Sequence, residues 1–128
     1  MINYNRFNKD YYTTALLQEQ LKNCIGKSTV EIFNATVDGH NALAVYHYNA
    51  LIAVWDIEND IIYCNYYYYD YSRCTSRVRN EFIRYCVEDM YATVPTTKQL
   101  QKTEKTGKCL TVRNTTIIVD EVERDRQY

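Results

Sequence analysis

The stretch 28–69, STVEIFNATVDGHNALAVYHYNALIAVWDIENDIIYCNYYYY, decides the predicted fold. From Ser28 the sequence pattern has a period of two, which is typical of a β-strand. Asp38-Gly39 follows this first run, and these two residue types are preferred in tight hairpin turns. The pattern therefore predicts a strand, a tight turn and a second strand.

A short internal echo continues the same pattern. The segment 41–46, NALAVY, returns eight residues later as NALIAVW at 49–55. Two copies are too few for a solenoid, so we interpret them as successive antiparallel strands. Glu58-Asn59-Asp60 supplies another turn, and the β-forming residues of 61–69 indicate a fourth strand. We predict a four-strand meander over about residues 28–69.

Helical patterns flank this meander. Before it, Asp10 is a capping residue for a helix over about 11–25, which Gly26 would end. After it, Ser72 or Thr75 can cap a helix over about 73–91. The apolar stripe of this second helix recurs every four residues, at Val78, Phe82, Cys86 and Met90. We expect the second helix to cover one face of the sheet.

The remaining segments give weaker signals. Residues 96–108 follow Pro95 and are polar without a clear period, which indicates a mobile loop or a short polar helix. Leu110 to Val119 reads as a last hairpin, while residues 1–9 and 120–128 are expected to be frayed. The predicted fold is one α+β domain over residues 1–128, with an antiparallel β-meander of four to six strands and two helices packed on one face.

Composition excludes several classes of protein. Apolar residues make up 46% of the 128-residue chain and charged residues 24%, which is typical of a globular domain. The net charge of −1 is too small to attract nucleic acid or an anionic membrane to the molecule as a whole. No apolar run reaches the roughly 18 residues of a membrane span, and the first residues lack the apolar stretch of a secretory signal. We expect a cytoplasmic protein with no membrane partner.

Few residues suggest catalysis. The five cysteines form no C-x-x-C pair and are odd in number, so reduced thiols are expected rather than disulfides or a zinc site. The three glycines are too dispersed for a phosphate-binding loop. One arrangement for nucleophilic catalysis is left open by the sequence: Cys64, His47 and Asp56 brought together across neighbouring strands. We otherwise predict a non-enzymatic protein with no catalytic residue, no metal and no cofactor.

Tyrosine is the compositional outlier, with 14 residues against three Phe and one Trp. An AT-rich genome and a recognition surface explain this surplus equally well. The tyrosines at 66–69 lead into the arginine-bearing second helix, and strand alternation would place Tyr67 and Tyr69 opposite the helix-covered face. Tyrosine and arginine dominate protein interfaces, and they also stack on bases and pair with phosphates. The predicted partner-binding residues are Tyr63, Tyr67, Tyr69, Arg73, Arg77 and Arg84.

A secondary basic patch lies further along the chain. Four lysines fall within a short polar segment that contains a single acidic residue, Glu104: Lys98, Lys102, Lys105 and Lys108. If this segment is helical, several ammonium groups lie on one side and could contact phosphates. A solubilising loop is the alternative.

The segment 71–80, YSRCTSRVRN, is similar to a motif of a known group of proteins. Together with the strands before it, over about residues 40–85, it resembles small phage-encoded domains of unknown function, in which a meander is followed by Y-S-x-T-T-S-R-H-x-N at the start of a helix. Cys74 replaces the usual threonine and Val78 the usual histidine. Ser72 and Thr75 of the motif also fit helix-capping chemistry, so the motif has a structural explanation as well.

The resemblance implies a phage-derived accessory protein that acts in the cytoplasm of an infected host cell. Such proteins often bind and block host machinery, so the leading expectation is an anti-CRISPR-like inhibitor of a host protein such as a defence nuclease or another nucleic-acid-processing effector. A nucleic-acid-binding accessory protein is the alternative, and an enzyme with an unrecognised site is the second alternative. A homo-oligomer formed through the tyrosines fits the same composition.

Overall fold

The computed structural model describes residues 1–22 and 29–124. The described residues form one sheet and three helices that cover it. In chain order the elements are β1 Ile2–Lys9, α1 Tyr11–Gln20, β2 Val30–Val37, β3 His40–His47, β4 Ala50–Asp56, β5 Ile61–Asn65, α2 Arg73–Cys86, α3 Thr97–Thr106, β6 Leu110–Val112, β7 Thr115–Asp120 and β8 Val122–Arg124. None of the described helices is long and apolar enough to cross a membrane.

The strands form one mixed eight-stranded sheet in the order β6-β7-β5-β4-β3-β2-β1-β8. β2, β3, β4 and β5 are antiparallel neighbours, as the local pattern predicts. β7 pairs with β5, and β8 with β1, in parallel. The α+β class is therefore confirmed, whereas the purely antiparallel meander of four to six strands is wrong, because strands distant in sequence extend both edges.

The two terminal segments pair rather than fray. β1 is bonded to β2 on one side and to β8 on the other, with Tyr4 opposite Val37 and Ile2 opposite Val122. Ile2 N–H also donates to the Glu121 carbonyl at 2.7 Å. The prediction of frayed ends is therefore wrong for residues 2–9 and 120–124. Burial of Tyr4 and Val122 against the sheet offsets the entropy that fraying would gain.

The sheet is strongly curled. β7 is still paired with β5 at Asp120, yet Val122, two residues later, is paired with Ile2 of β1. The face inside the curl is filled by its own side chains, which we call the inner core. Its buried members are Tyr4, Ala35, Val37, Ala42, Ala44, Tyr46, Leu51, Val54 and Val122. Small alanine side chains on β2 and β3 leave the room for Tyr4 and Tyr46, whose hydroxyls hydrogen-bond each other.

The opposite face carries the helices, and we call the cluster between them the helix-side core. Leu17 of α1, Phe82 of α2 and Leu100 of α3 are fully buried there, so three helices cover this face where two were predicted. The third helix is the polar segment 97–106. Thr96 and Gln99 form a capping box at its start, and Gly107 ends it in the left-handed region at φ 70°.

The helix boundaries follow local capping. Asp10 caps α1 by accepting a hydrogen bond from Thr13 N–H at 2.7 Å, as predicted. α1 ends at Gln20 with Leu21 as its C-cap, so the predicted helix to residue 25 is too long, and Gly26 lies outside the described residues. Ser72 caps α2. α2 ends at Cys86 rather than near residue 91, so Met90 is exposed and does not extend the apolar stripe.

Substitution of Phe82 tests whether α2 packs on the sheet. The ring is fully buried in the helix-side core. We expect Phe82→Ala to lower the free energy of unfolding by about 3–5 kcal/mol, because the truncation removes apolar contacts and leaves a cavity. Chemical denaturation measures this change. Arg77→Ala on the exposed side of the same helix is the control and should change it by less than about 0.5 kcal/mol; equal effects would contradict the packing.

The cysteines of the described residues differ in burial. Cys64 and Cys86 are buried, and burial raises the pKa of the Cys64 thiol to about 12 and that of Cys86 well above its ordinary value. Because the thiolate is the reactive form, we expect Ellman's reagent to label the exposed Cys109 rapidly and to spare Cys64 and Cys86 until the chain is denatured. Denatured, unreduced protein should give five free thiols; a shortfall of two would reveal a disulfide.

Candidate functional site

A turn over residues 66–71 replaces the predicted end of the fourth strand. β5 stops at Asn65, whose backbone carbonyl accepts from Tyr68 N–H at 3.1 Å and Tyr69 N–H at 2.9 Å. The Asn65 side chain is buried and donates to the Leu51 carbonyl at 3.0 Å. It also accepts from Val122 N–H at 3.4 Å. The alternation of a strand therefore stops after Asn65. The prediction that Tyr67 and Tyr69 lie on the sheet face opposite the helices fails for the same reason.

Most tyrosines of this turn are exposed, and two of them line a depression together with Tyr48 of the β3–β4 hairpin. Tyr66 and Tyr67 contact edge to face with ring centroids 5.2 Å apart, as do Tyr68 and Tyr71 at 6.1 Å. Tyr48 occupies the two-residue hairpin turn with Asn49, both at positive φ, and the residue is 67% exposed. We call this group the tyrosine surface: Tyr48, Tyr66, Tyr67, Tyr68 and Tyr71.

Tyr69 is buried instead, and its hydrogen bonds connect the turn to α2 and α3. Its ring is buried in the helix-side core, and its hydroxyl donates to the Glu104 carboxylate of α3 at 2.5 Å. Its backbone carbonyl accepts from Arg79 of α2 at 2.5 Å. Burial, followed by the bond to Glu104, raises the pKa of Tyr69 above its ordinary range. The phenol therefore remains a hydrogen-bond donor at neutral pH.

Arg79 is the buried centre of this arrangement, with only 1% of its surface exposed. Its guanidinium donates to the Tyr69 carbonyl, to Asn80 Oδ1 at 3.0 and 3.2 Å, and to Thr97 Oγ1 at 3.4 Å. These acceptors come from the turn, α2 and the start of α3. Burial lowers the pKa of Arg79, but an arginine stays charged at neutral pH.

The six predicted partner-binding residues separate into two groups. Tyr67 belongs to the tyrosine surface, and Arg73 and Arg77 are exposed on the first turns of α2, the helix that follows the 66–71 turn. The other three lie elsewhere, which corrects their predicted exposure. Tyr63 packs against the inner core, Tyr69 is buried, and Arg84 is bonded to Glu81 at 2.6 Å and to the Ala92 carbonyl at 3.0 Å.

The predicted lysine patch lies on and after α3. Lys98, Lys102 and Lys105 are exposed at i, i+4 and i+7, which places them on one side of the helix, and Lys108 follows the C-cap. Lys105 reaches the tyrosine surface. It lines a depression of about 620 Å³ together with Tyr66, Tyr67 and Tyr71. The basic side of α3 is thus one border of this surface.

A second depression, of about 470 Å³, lies on the other side of Tyr71, and we call it the His47 pocket. It is lined by His47, Tyr48, Ala50, Ile52, Tyr68, Tyr71, Ser72, Cys74 and Thr75. His47 is 5% exposed, and its Nδ1 lies 3.3 Å from Thr75 Oγ1. Burial lowers the pKa of His47, so its ring is neutral at physiological pH.

Acidic groups border the tyrosine surface on its third side. The pKa of Tyr67 is raised chiefly by the nearby Glu121 carboxylate, with a smaller contribution from Glu123 of β8. The surface therefore has cations on the α2 and α3 sides and anions on the β8 side. An exclusively anionic ligand would meet repulsion there.

The residues considered for nucleophilic chemistry are not brought together. His47 lies opposite Ala50 and Asp56 opposite Ala42, so they are five residue pairs apart along β3, about 17 Å at strand spacing. Asp56 instead contacts His40 Nδ1 at 3.4 Å. The Cys64/His47/Asp56 arrangement is therefore wrong. Within residues 1–22 and 29–124, no three His, Cys, Asp or Glu side chains are placed to hold a metal ion.

Four members of the tyrosine surface were not predicted from the sequence: Tyr48, Tyr66, Tyr68 and Tyr71. The echo at 41–55 contained a usable signal for Tyr48, because two successive strands joined there require a tight turn at Tyr48-Asn49. Comparison with family models, curated proteins and solved structures gives no match to this chain.

Substitution of Arg79 tests whether its guanidinium fixes the 66–71 turn that carries most of the tyrosine surface. We expect Arg79→Met to lower the free energy of unfolding by about 2–3 kcal/mol, because the Tyr69 carbonyl loses a charged donor in a buried position. Hydrogen exchange should also speed up at the amides of Tyr68 and Tyr69. Arg77→Met, an exposed arginine of the same helix, is the control and should change neither. Unchanged exchange in Arg79→Met would show that the guanidinium does not hold the turn.

Proposed function

We propose that this chain is a non-enzymatic binding protein that recognises another protein through the tyrosine surface. The supporting observation is the group of five exposed tyrosines, four on the 66–71 turn that buried Arg79 and Tyr69 anchor and Tyr48 on the β3–β4 hairpin, which lines a depression with two of them. Exposed aromatic rings are costly to hydrate and give large contact area with few rotatable bonds, so a preformed group of them is typical of a recognition surface.

The border charges favour a protein over a nucleic acid as the partner. Arg73 and Arg77 are exposed on the first turns of α2, and Lys105 lines the tyrosine-lined depression, while Glu121 and Glu123 lie beside Tyr67. A protein can match both signs of charge around an aromatic centre. A phosphate backbone crossing the same surface would meet the carboxylates, which weakens binding.

Single-stranded nucleic acid is the second candidate, and one observation favours it. The exposed lysines at 98, 102 and 105 form a basic side of α3 that ends at the tyrosine-lined depression. Bases would stack on the rings while the lysines contact phosphates. The salt dependence of the binding affinity distinguishes the two functions. A complex that neutralises six or more phosphates loses on the order of a thousandfold in affinity between about 50 and 200 mM salt.

The resemblance to phage-encoded domains supports a host protein as the target. We propose that binding inhibits or modulates that protein, and that nucleases of host defence are the first targets to assay. A second copy of this chain is the simplest competing occupant of the tyrosine surface. Sedimentation at several concentrations distinguishes it from a heterologous partner.

The tyrosine surface can be tested by affinity capture from bacterial lysate followed by binding measurements on the captured protein. We expect Tyr67→Ala and Tyr71→Ala each to weaken binding by about 2 kcal/mol or more, roughly 30-fold, because hot-spot aromatics lose that much on truncation. Arg77→Glu should weaken binding as well, without lowering the melting temperature.

Tyr91→Ala is the matched control, since Tyr91 is 96% exposed and lies beyond the far end of α2. It should bind like the wild type. Wild-type affinity in both Tyr67→Ala and Tyr71→Ala would reject this surface and leave the α3 lysines as the next candidate. A thousandfold loss of affinity with salt would instead support the nucleic-acid function.

A further inference from the structure

The tyrosine-lined depression between the 66–71 turn and α3 combines aromatic rings with two carboxylates. Three exposed residues of the turn supply the rings: Tyr66, Tyr67 and Tyr71. The carboxylates are those of Asp70 on the turn and Glu104 on α3. Among the described residues that line the depression, Lys105 is the one cation. Two carboxylates against one ammonium make the lining anionic, although the exposed side of α3 is basic.

Neither carboxylate is neutralised within residues 1–22 and 29–124. The Tyr69 hydroxyl donates to one oxygen of Glu104, and the Gln101 side chain donates to one oxygen of Asp70 at 2.8 Å. Both donors are uncharged. In this part of the chain, no lysine or arginine lies within 4.0 Å of either carboxylate. Each carboxylate therefore keeps its charge and has a second oxygen for a cationic donor.

The rings resemble an aromatic pair that holds an arginine elsewhere in the fold. Phe33 and Tyr46 contact edge to face with centroids 5.3 Å apart. The Arg6 guanidinium lies 4.2 Å from the Phe33 centroid and 4.9 Å from that of Tyr46. Tyr66 and Tyr67 have the same edge-to-face arrangement, 5.2 Å apart, and no lysine or arginine of the described residues is stacked on them. Since ring faces attract cations, this pair can receive one in the same way.

Aromatic faces beside carboxylates are surroundings that suit an arginine side chain. Its planar guanidinium stacks on rings and donates two parallel hydrogen bonds to a carboxylate. It is also more weakly hydrated than a lysine ammonium, so it enters a partly desolvated site more readily. Anionic ligands carry the wrong charge for this lining. The depression therefore favours an arginine over the phosphates that the lysines of α3 would attract alone.

We propose that the tyrosine-lined depression binds an arginine side chain of the protein partner, with its guanidinium stacked on the tyrosine rings and bonded to Asp70 and Glu104. The source of the arginine rests on the proposed function, in which the partner covers the tyrosine surface. Tyr66, Tyr67 and Tyr71 belong both to that surface and to the depression. Arginine and tyrosine are also the residue types that contribute most to the binding energy of protein interfaces.

Acetyl-arginine amide is a probe for the depression that needs no partner. Titrated into isotope-labelled protein, it should shift the NMR signals of the Tyr66 and Tyr67 rings and of the Gln101 side-chain amide, which lines the same depression. Acetyl-citrulline amide has nearly the same shape without the charge. It should bind about tenfold more weakly or cause no shift, because it lacks the charge-assisted hydrogen bonds.

Variants of the lining should change the affinity for the probe in opposite directions. Glu104→Gln and Asp70→Asn keep an oxygen for the hydrogen bonds that these side chains already accept, and each should weaken probe binding about fivefold or more. Tyr66→Leu keeps the apolar bulk and removes the ring, and should weaken binding about threefold. Lys105→Gln removes the competing cation and should tighten binding about twofold or more.

Glu58→Gln is the matched control. It removes one carboxylate from the turn before β5, whereas the depression lies after β5, and it should bind the probe like the wild type. Lys105 is exposed, so Lys105→Gln tests the depression even if Glu104→Gln does not fold. Absence of shifts in the wild type, or wild-type affinity in both Glu104→Gln and Asp70→Asn, would overturn the assignment. Weaker binding in Lys105→Gln would overturn it too.

The partner assay separates this proposal from the proposed function. If Tyr67→Ala abolishes partner binding but the probe does not bind the wild type, the assignment of the depression alone fails. If the probe binds and partner affinity is unchanged in Glu104→Gln and Asp70→Asn, the arginine of the partner is overturned. Self-association that Glu104→Gln abolishes would overturn it in favour of a second copy of this chain. Weaker partner binding in both variants, with tighter binding in Lys105→Gln, supports the complete proposal.

Discussion

The burial of the Arg79 guanidinium constrains the arrangement of the candidate site more than any other interaction. A charge that is removed from water must be surrounded by hydrogen-bond acceptors, or the cost of desolvation exceeds the gain from packing. The acceptors here come from the 66–71 turn, from α2 and from the start of α3. Satisfying one arginine therefore fixes the relative positions of the three segments that border the tyrosine-lined depressions. Tyr69 reinforces this by joining the turn to Glu104.

The curl of the sheet is the second constraint. An open, flat eight-stranded sheet with helices on one face would leave the other face exposed to water. Here β8 returns to β1, and the small side chains of Ala35, Ala42 and Ala44 let the enclosed face fill with Tyr4 and Tyr46. The same curl brings Glu121 and Glu123 beside Tyr67 and so determines the acidic border of the candidate interface.

Local signals predicted much of this molecule. The β2–β5 meander, the caps Asp10 and Ser72 and the Phe82 stripe all depend on neighbours within a few residues, and the sequence pattern located them. The remainder depends on contacts between distant segments. Nothing local shows that Asn65 will bond to Leu51 and Val122, yet those bonds accompany the end of β5 and the turn of the tyrosine run out of the sheet. Likewise, the local sequence does not distinguish Arg79 from the exposed arginines of α2. Arg79 is buried because the Tyr69 carbonyl, ten residues earlier in the chain, accepts a hydrogen bond from it.

The pairing of β1 with β8 also has a consequence for synthesis of the chain. Residues 2–4 bond to residues 122–124, so the parallel edge cannot form until nearly all of the described chain has left the ribosome. Until then β1 has one free edge, and the inner core lacks Val122. Contacts of such high sequence separation slow folding, and unpaired edges in the nascent chain favour aggregation. The meander and α2 can assemble earlier, so the tyrosine turn emerges from the ribosome well before the strand that supplies its acidic border.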